Sequence, residues 1–466
     1  VSIRHRNRLA IPNDHKDDAQ IAASPEHSRL RREPDRHLCR RMTMTKSIAL
    51  LMSLAMIGSA CGSSNSAVVD TAGEPSATTT AASQSGGPVA AGVDRAAASA
   101  SAPVDEWVNG INDAGWDFHR HLDGNAVSSP VSIGVAFSLA RAGASTDTAA
   151  ALDEIFAFPT KGRDAAANSA SLMLADASVG PTTLEVANRL FPDVNFSPLP
   201  AFVDTAAAHY GATVETVDMS DGPAAAEVIN NWVAETTRGL IPTIVDGGAI
   251  QDQRLALVNT VYLKADWAEP FLPELTNAGV FTTSDASTVT TSFMRDRIPI
   301  TRRFVRLADA DAVELPYEGG DLAMWIVVPR ETDGLPGVEA SLDAASLANL
   351  SEVAETGMVD ITLPKWEQTL PPSDLFGWLC PLGFCARAGF DNIAPGLFIT
   401  SALHGAKVIV DEKGTEAAAV TAMTFRVSGP PPADLTVVAD HPFLWAIIHR
   451  QTGALVFVGR LVDPAA

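Results

Sequence analysis

Apolar residues recur at helical spacing through the first third of the folded part of this chain and at strand spacing through the rest, without regular βα alternation. Trp107, Ile111, Phe118 and Leu122 predict an amphipathic helix over 104–122. Ser129-Pro130 opens a second helix, Val131 to Ala144, with proline where its missing N–H costs nothing. That helix is apolar nearly all round and is therefore expected to be buried. LEVANRLF (184–191) reads as a short buried strand, and Ile229, Trp232, Val233 and Thr236 share one face of a helix over 224–238. The nearly continuous apolar run Leu255 to Leu263 predicts a central strand covered on both faces. Asn259 in its middle would then be a buried polar group that needs a partner.

Further strands are expected at Val313 to Tyr317, Leu322 to Val328 and Met358 to Leu363, with a short helix over Asp374 to Leu379. Leu397 to Leu403 and Lys407 to Val410 flank His404, and Leu435 to Ala439, Phe443 to His449 and Ala454 to Leu461 complete the set. This order predicts an α+β domain, not a doubly wound sheet. No repeat of 20–50 residues is apparent, and no linker divides residues 104–463.

The N-terminal part reads differently. Residues 1–43 are rich in Arg and His, lack apolar periodicity and begin with Val, as expected of a mis-extended upstream segment with Met42 or Met44 as the true start. Residues 44–61 form a signal-peptide pattern: Lys46, an apolar stretch from Ile48 to Ile57, then Gly58-Ser59-Ala60. The stretch is shorter than the roughly 20 residues a spanning helix needs. Cys61 follows in a lipobox-like position, which predicts lipidation and an extracellular or cell-surface product; Gly58 departs from the branched aliphatic residue such a signal prefers. Residues 62–102, rich in Ser, Thr, Ala and Gly, read as a flexible tether to a folded domain at 103–466.

Charge narrows the function. The whole chain carries a net charge of −22; residues 1–61 hold 11 Lys and Arg against 6 Asp and Glu, leaving 22 against 49 and a net of −27 in the remainder. Such a domain will not bind nucleic acid through bulk charge, and heparin is disfavoured for the same reason. A local exception, Arg295, Arg297, Arg302, Arg303 and Arg306, is expected to be a solvated strand face. Cys380 and Cys385 have no zinc-site spacing; they either close a small disulfide at a helix end or remain buried thiols. No GxSxG, HExxH, phosphate-loop or dinucleotide motif is present, so neither an enzyme, a metal nor a cofactor is expected.

One stretch stays locally ambiguous. DEKGTEAAAVTA (411–422) has good helix propensity, yet at period two it places Thr415, Ala417, Ala419, Thr421, Met423 and Phe425 on one face, as a half-buried strand would. It fits either a surface helix or a mobile switch before Gly429 and Pro430 to Pro432.

An ordered set of segments resembles the serpin family. They are SPVSIGVAFSLARAGA (129–144), ANRLF (187–191), INNWVAETTRGLI (229–241), LVNTVYLKADW (257–267), ELPYEGGDLAMWIVVP (314–329), LPKW (363–366), GTEAAAVTA (414–422) and DHPFLWAIIHRQTGALVFVGRLVDP (440–464). The resemblance spans about 104–464 and implies a fold of three β-sheets, eight or nine helices and an exposed reactive-centre loop. It implies a monomeric, irreversible suicide-substrate inhibitor of an extracellular serine protease, or of a cysteine protease, that forms a covalent acyl complex. The alternative is a non-inhibitory surface binding protein cleaved as a plain substrate.

Carried onto this chain, the hinge would be Gly414, Thr415, Glu416, Ala417, Ala418, Ala419, Val420 and Thr421, and the shutter Ser129, Ser132, Asn259 and His404. Trp267 would occupy the breach. The family's usual count from Gly414 puts the cut at Ser428-Gly429, with Arg426 and Val427 as the alternative. Small side chains at the inward hinge positions suit a strand that enters a sheet. Roughly ten to fifteen new backbone hydrogen bonds at about 0.5–1.5 kcal/mol each would drive that entry.

Overall fold

The computed structural model describes residues 92–385, 389–399, 402–415 and 432–465. Most expected strands and helices are found, but His404 lies inside a strand, Leu403–Val410, and not between two, and Asn277–Thr282, Thr288–Arg295, Ile300–Arg306 and Trp366–Asp374 are strands the periodicity did not reveal. The chain opens with α1 (Val104–His121), β1 (Ala126–Ser128), α2 (Pro130–Gly143), α3 (Thr146–Phe156) and α4 (Arg163–Asp176). Then come β2 (Thr183–Pro192), α5 (Pro200–Tyr210), β3 (Thr213–Val214), α6 (Gly222–Thr236), α7 (Gly247–Ile250) and β4 (Leu255–Asp266). The β-rich part runs β5 (Asn277–Thr282), β6 (Thr288–Arg295), β7 (Ile300–Arg306), β8 (Ala310–Pro316) and β9 (Leu322–Pro329). Three short helices, α8 (Leu335–Ser341), α9 (Ala344–Ala348) and α10 (Leu350–Val353), precede β10 (Glu355–Pro364) and β11 (Trp366–Asp374). Last are α11 (Phe376–Leu379), β12 (Leu403–Val410), β13 (Gly414–Thr415), β14 (Leu435–Val438), β15 (Phe443–His449) and β16 (Ala454–Leu461).

Two hydrogen-bonded sheets form among the described residues. One has the order β11-β12-β13-β4-β2-β3; the other runs β1-β16-β15-β9-β8-β7-β10-β6-β5, with β14 beside β10. β10 pairs with β7 through its first half and with β6 through its second, so it joins what would otherwise be two sheets. The three sheets expected from the resemblance are thus linked into two networks. Eleven α-helical segments are present among the described residues, several of them a single turn.

The helix α2 is buried because its apolar residues leave no polar face. It packs beneath β4 and β16, and β9 and β15 are buried at every residue. Against expectation, β4 is not covered on both faces: Leu255 to Asn259 are only half-buried. β2 is longer than the predicted strand and likewise partly exposed. The arginine cluster is not simply a solvated face either. Arg302 is buried in an ion pair with Asp296, Arg303 donates to the Ser351 carbonyl, and Arg306 reaches Glu355 and the Asp434 carbonyl.

The last residues of the expected tether are held against the helices. The Ala96 N–H donates to the Ala208 carbonyl at 2.8 Å, and the buried Asn168 amide accepts from Arg95 and donates to the Ala96 carbonyl. A Gly/Ser/Ala-rich segment carries little apolar surface to bury, so this docking rests on polar contacts that composition does not reveal.

Candidate functional site

The site centres on the way β12 turns back into β13. The β13 residues pair antiparallel with β4 on one side, Gly414 opposite Asp266 and Thr415 opposite Ala265, and with β12 on the other, Thr415 opposite Val410. Since β13 is antiparallel to both, β4 and β12 run parallel to each other. No hydrogen-bonded register joins those two strands directly among the described residues. Gly414 and Thr415 therefore occupy one end of a strand-wide position between them. Thr415 is only 2% exposed, as an inward-facing position requires. Backbone pairing on both edges holds it, which a one-residue-at-a-time propensity cannot express.

Gly414 is required for the approach. A Cβ there would lie 2.0 Å from the Ala265 carbonyl oxygen and 2.8 Å from the Asp266 Cα, both backbone atoms that cannot swing aside. Gly414→Ala is expected to expel β13 from the sheet, measured as faster amide exchange at Thr415 and Ala265. Unchanged exchange would show that the seat tolerates a side chain.

Trp267 packs over this entrance. Its ring stacks on Tyr317 at 4.5 Å, its indole N–H donates to the Asp411 carbonyl at 3.0 Å, and its backbone N–H donates to Lys413 at 2.7 Å. The buried Tyr317 hydroxyl shares a 2.7 Å hydrogen bond with Thr415 Oγ1, and burial pushes its phenol well above the usual range. Glu412 accepts from Lys365 and Thr276 at 2.7 and 2.8 Å. Burial works to raise its carboxyl, but those donors outweigh it and hold the carboxyl below its ordinary value. Tyr317, Glu412 and Lys365 were not singled out from sequence. The only signal was LPKW and ELPY lying within otherwise structural segments.

At the opposite end of β4 and β12, all four expected shutter residues meet. Ser129 caps α2, accepting from the Ser132 N–H, while its hydroxyl donates to the Val456 carbonyl at 2.7 Å. Its own backbone N–H donates to His404 Nε2 at 3.2 Å. The Ser132 hydroxyl donates to Asn259 Oδ1 at 2.5 Å, and Asn259 Nδ2 donates to Asn188 Oδ1 at 2.8 Å. The network thus ties β12, α2, β4 and β2 together, with Asn188 as a member unforeseen from sequence. Such a chain of polar groups can hold strands in a defined arrangement and re-pair if they part.

His404 is 5% exposed, and burial pushes its imidazole down to about 4. With a folded value below the unfolded value of about 6.5, the unfolded state binds more protons between those pH values. The stabilisation is full above about pH 6.5 and is lost as pH falls towards 4, an effect of order 3 kcal/mol. His404→Gln is expected to flatten that part of a denaturation-versus-pH curve. An equally steep curve would assign the acid sensitivity elsewhere.

Cys380 and Cys385 are joined as a disulfide just after α11. Cys61, Glu416 to Thr421, and Arg426 to Gly429 lie outside the described residues. No cluster of metal-ligating side chains occurs among the described residues.

Comparison with known proteins agrees with this geometry. The family described as Serpin (serine protease inhibitor) matches residues 118–464. The chain is 32% identical to the leukocyte elastase inhibitor of Bos taurus over 73% of its length and 93% of that protein. It is 35% identical to Serpin-Z2B of Triticum aestivum, over 73% and 90%. Among solved structures, the thermophilic serpin tengpin in its native state superposes with a TM-score of 0.70 at 21% identity, covering 80% of this chain and 97% of that one. Cleaved Serpin 42Da does so at 0.68 and 28%, covering 77% and 98%. With its entrance strand, its polar network and these matches across nearly the whole folded part, the chain belongs to the serpin family.

Proposed function

We propose that this chain is a suicide-substrate inhibitor of an extracellular serine protease, held at the cell surface by a lipid on Cys61. The observation that carries the reading is the seating of Gly414-Thr415 between the parallel strands β4 and β12. A strand that begins there can continue antiparallel to both neighbours without disturbing any pairing described above. Extending the register, residue 421 arrives opposite Asn259 and His404 together. Thr421 would then bring its hydroxyl to the polar network, while small residues precede it at the inward positions.

The chemistry is that of an interrupted hydrolysis. The protease serine attacks the carbonyl of Ser428, an ester to the protease forms, the peptide bond to Gly429 breaks, and the amine of Gly429 leaves with a proton. Entry of residues 416 onward between β4 and β12 then carries the ester-linked protease along the sheet before water can attack. Loop insertion in a metastable inhibitor releases stored strain in this way.

The test is to incubate the mature domain with trypsin-, chymotrypsin-, elastase- and subtilisin-type proteases. An SDS-resistant protease-linked band with release of the C-terminal peptide is expected, and the peptide mass reports the bond. Cleaved product alone, with protease activity intact, would sink the proposal in favour of a non-inhibitory binding protein.

A further inference from the structure

Between the shutter ends of β4 and β12 lies a cavity of about 130 Å³. Leu257 lines one side, His404, Leu397 and Phe398 the other, and Ala136 and Phe137 of α2 form the floor. None of its described lining residues carries a formal charge, apart from the titratable His404. The size is close to that of an engineered apolar cavity of about 150 Å³ that stays dry and binds benzene. Phe398, 58% exposed, stands at this wall as a large apolar side chain facing water.

The cavity also has one unspent donor. His404 Nε2 accepts from the Ser129 N–H, so in the neutral ring Nδ1 carries the hydrogen. That N–H has no hydrogen-bond partner among the described residues, and the ring it belongs to lines the cavity.

We propose that this cavity is a binding site for a small neutral organic molecule of about six to eight heavy atoms, largely hydrocarbon and bearing one hydrogen-bond acceptor for His404. An anion would find no cationic partner here, and a cation no carboxylate, so the site selects for neutral compounds. The regulatory consequence rests on the functional reading above. By the register of β13, the position beside Asn259 and His404 is the one that loop residues from 421 onward must take. A bound molecule would hold that position against them, and acylated protease would be released by hydrolysis. The chain would be turned from inhibitor towards substrate.

Binding is read without any protease, by saturation-transfer NMR on the intact domain with hexan-1-ol and cyclohexanone, against hexanoate and hexylammonium. The neutral probes are expected to bind at about 0.1–1 mM and the charged ones at least tenfold more weakly. Ala136→Leu should cost tenfold or more in affinity; should α2 not tolerate it, Ala249→Trp at the exposed rim fills the same space. Saturating hexan-1-ol should raise the ratio of cleaved to complexed protein severalfold. No binding at about 10 mM, equal binding of hexanoate, or no loss in either variant overturns the site. Binding with an unchanged ratio overturns the regulation. A chain that binds hexan-1-ol yet traps no protease overturns the functional reading and leaves the site standing.

Discussion

Replacing Thr415 by arginine is expected to abolish the protease-linked band while leaving cleavage of the loop intact. Thr415 is 2% exposed, paired on both edges, and bonded through Oγ1 to Tyr317. A guanidinium would have to be buried where a compact hydroxyl now bonds to the Tyr317 phenol, inside a strand paired on both edges. Uncompensated burial of a charge costs several kcal/mol, enough to keep the strand out of the sheet. The released acyl-enzyme then hydrolyses, and inhibition falls by at least about tenfold, the equivalent of 1.4 kcal/mol. Densitometry of complex against cleaved product measures this. Equal inhibition by Thr415→Arg would mean that trapping does not proceed through insertion at β13. Thr415→Ser, which keeps the hydroxyl, should inhibit nearly as well as the parent.

A second large effect is expected at the entrance itself. Trp267→Ala removes a buried indole that stacks on Tyr317 and donates to the Asp411 carbonyl. Large-to-small changes of this kind cost about 3–5 kcal/mol in packed cores. The loss falls on the segment that holds Asp411 to Thr415 in place, so both the denaturation midpoint and the protection of β13 should drop. Trp267→Phe helps separate the causes, because it keeps a stacking ring while losing the indole N–H bond, worth about 0.5–1.5 kcal/mol, and part of the buried ring volume. Should the phenylalanine variant fall as far as the alanine one, stacking on Tyr317 is not what holds the entrance.

These two residues also show where sequence reasoning stops. Period-two spacing identified Thr415 as an inward residue of a strand, but the same letters fitted a surface helix equally well. The choice lies with Ala265 and Val410, which supply pairing edges from elsewhere in the chain. Trp267, Ser129, Ser132, Asn259 and His404 were identifiable from ordered family segments, and they do lie at the two ends of β4 and β12. Their partners Asn188, Tyr317, Glu412 and Lys365 were not, because a hydrogen bond 47 or 98 residues long leaves no local periodicity.

The sequence by itself determined the α+β order, the helices α1, α2 and α6, the strands around them, and the acidic balance. Each of those follows from side-chain spacing or from a count, which are properties of neighbours along the chain. Only the tertiary structure decided that β4 and β12 run parallel with β13 between them at one end, and that His404 lines a cavity with an N–H that has no partner among the described residues. Both depend on which distant edges meet. The free energy of that meeting lies in pairing and burial between segments, where no single stretch of residues contains it.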